Sequence, residues 1–290
     1  MAIVALLGVP IVAKKHEDGD GVYSIDYFYR KGATDRPRKD FEVLLRQACS
    51  KIIIKDLGEL GSGFFTTGKI DYEELGLDAQ QVVTSSGADV VLAIGGDHAA
   101  AFPFYSMQGQ VVRADAHGDA YVQKNLPLSS YMITGATYMA FVDSLGLKKP
   151  HQVWNVGVEM LHLRQEYRTK DGVFGALVDV SQMLRHPLSN TGFFDIDVDV
   201  LASAYRLPHW HSTSNLRAED LADLVIKLQP KVVGLFECVG KSGNIPYDIV
   251  SAYPSVFGPI CEAVAQAAVA RSIGTHANLQ SPQAFSVTYH

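Results

Sequence analysis

Three short segments gather the side chains of this sequence that could hold divalent cations. Gly95-Gly96-Asp97-His98 comes first, Asp115-Ala116-His117-Gly118-Asp119 follows, and Asp195-Ile196-Asp197 lies well downstream. Carboxylates with some imidazole suit hard or borderline ions such as Mn²⁺, and His98, Asp115, His117, Asp119, Asp195 and Asp197 make such a set. A pair of these ions makes hydroxide available from water near neutral pH, so the pattern points to hydrolytic chemistry. At a strand end, residues i and i+2 face the same way, which lets Asp195 and Asp197 share one cavity, and likewise Asp115, His117 and Asp119. Carboxylates crowded together repel each other unless cations neutralise them. Taken singly, DAHGD could be a capping loop and DIDVD a solvated acidic turn. Their recurrence at the ends of separate strands argues for a metal centre.

The elements that must position these groups are short apolar runs. They are Ile3–Leu7, Ile52–Lys55, Val90–Ile94, Val111–Ala114, Val153–Val156, Ala176–Val178, Phe193–Ile196 and Val232–Phe236. Continuous apolar runs suit strands covered on both faces, and amphipathic stretches fall between many of them. Helices are expected over Arg38–Cys49, over Leu216–Leu228 with Asn215 or Ser214 as N-cap, and over Ile260–Ile273 with Gly274 as a stop. Asp26–Asp40 reads as a surface loop leading into the first helix. Alternating β and α elements predict an α/β fold with an open, largely parallel sheet, and no linker or repeat divides residues 1–290 into more than one domain. Such sheets bind ligands beyond the carboxyl ends of their strands. His98, Asp115 to Asp119, Asp195 to Asp197 and Glu237 all follow strand-like runs at that end.

Composition narrows the class. The chain has 290 residues, 47% of them hydrophobic, and a formal charge of −6 with no basic block. Nucleic acid is therefore not expected as a partner, whereas a cationic small molecule is compatible. No run of eighteen apolar residues suggests a membrane span. The segment MAIVALLGVP reads as a first core strand and not as a signal peptide. Cys49, Cys238 and Cys261 show no paired spacing, so they read as buried thiols in a reduced, cytoplasmic setting.

In these motifs the chain resembles the ureohydrolase family of arginases, agmatinases and formiminoglutamases. GGDH matches at Gly95 to His98, DAHxD at Asp115 to Asp119, and the DxD of the third motif at Asp195 and Asp197. A glutamate at the end of the last strand matches Glu237. The resemblance implies a three-layer α/β/α sandwich around an eight-stranded parallel sheet, two Mn²⁺ per chain and a homo-oligomer, trimer or hexamer. It implies one ion on His98, Asp115, Asp119 and Asp195, and another on His117, Asp115, Asp195 and Asp197. A hydroxide bridging the ions would attack the carbon of a linear guanidino compound, releasing urea and an amine. Asp119 would relay the proton, and Glu237 would pair with the guanidinium.

The chain also departs from that family. Thr134 stands where a proton-shuttling histidine is usual, and threonine does not titrate near neutrality. The third motif lacks its later Asp-Pro and continues Asp197-Val198-Asp199-Val200. Tyr121 replaces the asparagine usual in arginases. A loop histidine, His209 or His211, could enter the site and replace the missing shuttle, though a lone His-x-His pair is more commonly a surface feature. Two other readings follow: a metal amidohydrolase acting on an acylated amine or formimino compound, and a non-catalytic metal-binding member of the family.

Overall fold

The computed structural model describes residues 1–17, 23–61, 72–159, 172–188, 190–205, 207, 214, 216–238 and 249–280. Each of the eight apolar runs is a strand of one parallel sheet. The strands are β1 (Ala2–Val9), β4 (Ile52–Glu59), β5 (Val90–Gly95), β6 (Gln110–Ala114), β7 (Val153–Val156), β8 (Ala176–Leu177), β9 (Thr191–Asp197) and β10 (Val232–Phe236). Their spatial order is β4-β1-β5-β10-β9-β6-β7-β8, every pairing parallel. The chain leaves β5 for β6 and later returns to fill the gap between them with β9 and β10. This puts the four strands that carry the three motifs and Glu237 side by side at the centre.

Alternate residues of each strand feed two separate cores, which is why the runs are apolar throughout. On one face Val4, Leu6, Leu92 and Ile94 pack with helices α1 (Asp35–Ala48), α6 (Ala218–Leu228) and α8 (Pro254–Gln280), through Phe41, Leu45, Leu221, Leu224, Phe257, Ile260 and Val264. On the other, Ala5, Leu7, Val91 and Ala93 pack with α2 (Tyr72–Ser85), the 3₁₀ segment His98–Ser106 and α3 (Tyr138–Ser144), through Leu75, Ala79, Phe104, Tyr105 and Met139. The result is the expected three-layer α/β/α sandwich. Three shorter helices, α4 (Val180–Arg185), α5 (Ala202–Tyr205) and α7 (Ile249–Ala252), complete the α-helices of the described residues.

Four local expectations differ from what is found. Residues 26–29 are not loop but part of β3 (Tyr23–Tyr29), an antiparallel partner of β2 (Ile11–Glu17), with Ile11 opposite Tyr29. Helix α6 is capped by Arg217, whose backbone N–H donates to Asp220 Oδ2 at 2.9 Å, and not by Ser214, whose N–H donates to Glu159 Oε1; Asn215 lies outside the described residues. Helix α8 runs through Gly274 to Gln280, because burial on the sheet outweighs the modest helix penalty of one glycine. Its Pro254–Gly274 stretch is also long and apolar enough to cross a membrane by length and composition, but half of it is buried inside this fold.

Candidate metal centre

Two glycines let the first two motifs approach their neighbours. A Cβ on Gly95 would lie 2.5 Å from the Phe236 ring, and that ring stacks on His98 at 5.8 Å between centroids. A Cβ on Gly118 would lie 2.2 Å from the Gly172 carbonyl oxygen, so the second motif tolerates only glycine between His117 and Asp119. Asp97 caps the turn after β5, accepting from Ala99 N at 2.9 Å, and so delivers His98 over the sheet. Asp119 (φ 54°) and Glu237 (φ 58°) both adopt the left-handed backbone that side-chain-bearing residues avoid. Each costs about 1–2 kcal/mol, and such strain tends to collect where a side chain must be aimed.

The geometry has two halves. Nδ1 of His98 lies 2.9 Å from Asp115 Oδ2, 2.9 Å from Asp197 Oδ2 and 3.1 Å from Asp119 Oδ2. That nitrogen is buried with no aligned hydrogen-bond partner, as expected of a metal-ligating atom aimed into a cluster of oxygens. In the second half, Nδ1 of His117 lies 2.7 Å from Asp199 Oδ2 and 3.7 Å from Asp115 Oδ1. Ligand atoms of His98, Asp115 and Asp119 fall within 4.8 Å of one another, as do those of Asp115, His117 and Asp199. Asp115 belongs to both groups and uses a different oxygen toward each histidine.

Asp195 is placed elsewhere. The register pairs Arg113 with Asp195 and Ala114 with Ile196, which carries Asp115 to the level of Asp197. Asp195 lies one rung deeper, fully buried, and touches the other side of the His98 ring. Its Oδ1 is 3.0 Å from His98 Nε2, and its Oδ2 accepts from Tyr105 Oη at 2.6 Å and Tyr138 Oη at 3.0 Å. A carboxylate on Nε2 fixes the ring so that Nδ1 faces the cluster. The i, i+2, i+4 series Asp195, Asp197, Asp199 thus contributes its last two members to the cluster. Asp199, on the 3₁₀ turn after β9, also accepts from Ala116 N at 3.3 Å.

Arg113, like Asp199, is not picked out as part of the site by the motifs. It is fully buried on β6, two residues before Asp115 and on the same face. Nη2 donates to Asp115 Oδ2 and Asp119 Oδ2, Nη1 to the His117 carbonyl at 2.8 Å, and Nε to Tyr138 Oη at 2.9 Å. A charged residue inside an otherwise apolar strand was the signal available for it.

The charges show what the cluster lacks. Burial and the neighbouring Asp115 push the Asp119 carboxyl up to about 7, and burial with Asp115 pushes Asp199 up to about 6. Burial, Asp199 and Glu237 hold Asp197 well above the usual carboxylate range. Burial also works to raise Asp115, but the Arg113 guanidinium and His98 overcome it and hold it well below that range. Hydrogen bonds to Asp115 and Asp199 push the His117 imidazole up to about 12. Burial disfavours a charged His98, yet Tyr138, Asp195, Asp197 and Asp115 raise it well above the ordinary value. A cluster that gathers protons so strongly is one whose electrostatics call for cations.

Among the described residues, the other expected ones flank this cluster. Glu237, half-buried at the end of β10, is close enough to Asp197 and Asp199 to raise both. The Thr134 hydroxyl is engaged with Thr137 Oγ1 at 2.9 Å, and the adjacent Gly135 packs on Asp97 and His98. The Tyr121 hydroxyl closes over the second motif, accepting from Gly118 N at 2.9 Å. His209 and His211 lie outside the described residues.

An arginase from Medicago truncatula superposes with a TM-score of 0.56 at 18% identity, over 91% of this chain and 87% of that one. A hypothetical agmatinase from Burkholderia thailandensis gives 0.56 at 14% identity, over 96% and 87%. The chain has the arginase fold. A variant formiminoglutamase from Trypanosoma cruzi, described with Mn²⁺₂, gives 0.52 at 15% identity, over 91% and 93%. No sequence-family model matches, and no curated protein sequence does. At these identities the arginase fold is what the likeness establishes, and the chemistry must be argued from the residues of this chain.

Proposed function

We propose that this chain is a Mn²⁺-dependent hydrolase of the ureohydrolase type, acting on the C–N bond of a linear guanidino compound. The observation that carries the reading is the pairing of two histidine Nδ1 atoms with carboxylates around a shared Asp115, over the carboxyl ends of the central strands. His98, Asp115, Asp119 and Asp197 would hold one ion, and His117, Asp115, Asp197 and Asp199 the other. This set is shifted by two residues from the one the family resemblance implied, and it gives Asp195 the task of orienting His98. Bound there, the two ions would supply Lewis acidity and make hydroxide available from water near neutral pH.

The protein's own residues do the rest. Asp119 is aimed by its left-handed backbone, and with Nη2 of Arg113 on Oδ2 its other oxygen is left to take a proton from water and pass it to the leaving amine. Glu237 places a carboxylate at the rim, where a planar guanidinium can pair with it. Tyr121 and the Thr134–Gly135 segment border the approach. With Thr134 bonded to Thr137, proton exchange with solvent falls to water or to a histidine from the 208–213 segment. The proposal extends to a homo-oligomer in a reduced cytoplasmic setting.

Urea release from a panel of guanidino compounds, measured on protein reconstituted with Mn²⁺ and on the same protein stripped of metal, tests this reading. Urea from one or more compounds only in the metal-loaded sample is the expected result. No urea from those compounds, but formamide from a formimino compound or a free acid from an acylated amine, would favour the alternative reading. No product from any of these substrate classes would leave a metal-binding protein without this activity.

A further inference from the structure

Arg113 touches more of the centre than the single Asp119 oxygen that the proposed hydrolysis uses. Its Nη2 donates to Asp115 Oδ2 and Asp119 Oδ2, and those same two oxygens stand 2.9 and 3.1 Å from Nδ1 of His98. The oxygens facing His117 are different atoms, Asp115 Oδ1 and Asp199 Oδ2, and no contact of Arg113 involves them. The guanidinium is locked on every side: Nε on Tyr138 Oη, Nη1 on the His117 carbonyl, and its carbon 5.7 Å from the centre of the Tyr138 ring. Asp195 Oδ2 is 4.0 Å from Nε and offsets part of its charge.

We propose that Arg113 is a resident cation of the metal centre, which orders Asp115 and Asp119 before any ion arrives and makes the His98 position the weaker of the two. The inference rests on the binuclear reading above. Without ions, the carboxylates of this pocket repel one another, and a buried guanidinium held between two of them keeps both in place. When an ion enters on the His98 side, it shares two oxygens with that guanidinium and meets a like charge at close range. An ion on the His117 side meets neither penalty. A simple strut between strands would act in the opposite sense, since removing it would disorder two ligands and weaken metal binding. The sign of the change therefore separates the two roles.

The test is calorimetric titration of Mn²⁺ into metal-free protein, followed in parallel by the electron paramagnetic resonance of the bound ion. Wild type should take up two ions in two steps whose affinities differ about tenfold or more, the scale on which groups touching metal ligands act. His98→Ala should abolish the weaker step and leave the stronger. Arg113→Met should strengthen the weaker step about tenfold or more while lowering the thermal midpoint of the metal-free protein. Arg113→Lys, which keeps the charge, should preserve the separation. Two equal steps in wild type, loss of the stronger step in His98→Ala, or an Arg113→Met protein that binds no tighter would each overturn the proposal. Should Arg113→Met fail to fold, the wild-type, His98→Ala and Arg113→Lys titrations decide it. Wild type binding no ion at all would remove the binuclear reading itself, an outcome distinct from two equal steps.

Discussion

Replacing Asp195 and Asp199 separately by asparagine should give opposite results, and the contrast follows from which atoms each carboxylate touches. Asp195 accepts from two buried tyrosine hydroxyls, lies against His98 Nε2 and sits 4.0 Å from Arg113 Nε. An amide keeps one acceptor, turns a donor toward a hydroxyl and removes the charge. Hydrogen bonds to charged groups are worth about 1.5–3 kcal/mol each, so Asp195→Asn should destabilise the metal-free protein by about 3 kcal/mol. For a chain of this size that is a fall of about 6 °C in Tm. Two ions should still bind, the His98 side about 10–100-fold more weakly because its histidine is less firmly oriented. Asp199→Asn should leave the metal-free protein as stable as before or more so, since burial and repulsion from Asp115 already push that carboxyl up to about 6. It should, however, lose the ion on the His117 side. Thermal unfolding with and without Mn²⁺, combined with elemental analysis of the loaded proteins, reads both effects. An Asp195→Asn protein holding one ion beside an Asp199→Asn protein holding two would refute the two-residue shift and restore the ligand set implied by the family resemblance.

Three further outcomes are expected. Glu237→Gln should keep its metal content and lose about thirtyfold or more in kcat/KM on guanidino substrates, the cost of unpairing a desolvated charge at about 2–5 kcal/mol; wild-type turnover in this variant would remove Glu237 from substrate binding. The metal-free protein should lose stability as pH rises from about 4 to 7. Asp119 and Asp199, raised to about 7 and about 6, favour the fold when protonated, His117 extends the trend above pH 6.5, and the lowered Asp115 acts only below about 3.8. Mn²⁺ competes with those protons, so the stabilisation it gives should grow over the same interval; thermal unfolding at several pH values, with and without metal, checks both slopes. Thr134→His should raise kcat if solvent now carries the proton, by up to the 10²–10⁴-fold that general acid–base help typically contributes. If His209 or His211 carries it, removing that histidine should lower kcat and Thr134→His should do little, as a pH–rate profile of each variant will show.

Much of this architecture is legible in the residues because the sheet is covered on both faces. Val90–Ile94 and Val232–Phe236 are apolar throughout, and a run of that kind bounded by loops has few alternatives. The β2–β3 pair is harder to read, since Lys14, Lys15, Asp26 and the tyrosines interrupt any simple pattern and the pairing is set by a partner strand. Helix ends are equally a tertiary matter: α8 passes Gly274 because its preceding turns are anchored on the sheet. In the site, the types of the ligands were readable and their register was not. Asp195, Asp197 and Asp199 share one alternation, and only the alignment of β9 with β6 shows that Asp197 stands level with Asp115. Arg113 escaped for a related reason, because a charge inside a strand acquires meaning only once its carboxylate partners are in place.

The most direct test of the binuclear centre is an anomalous difference map at the manganese edge, from crystals grown with Mn²⁺. Two peaks per chain are expected, one bounded by His98, Asp115, Asp119 and Asp197 and the other by His117, Asp115, Asp197 and Asp199, with neither touching Asp195. A single peak, or a peak coordinated by Asp195 in place of Asp197, would contradict it.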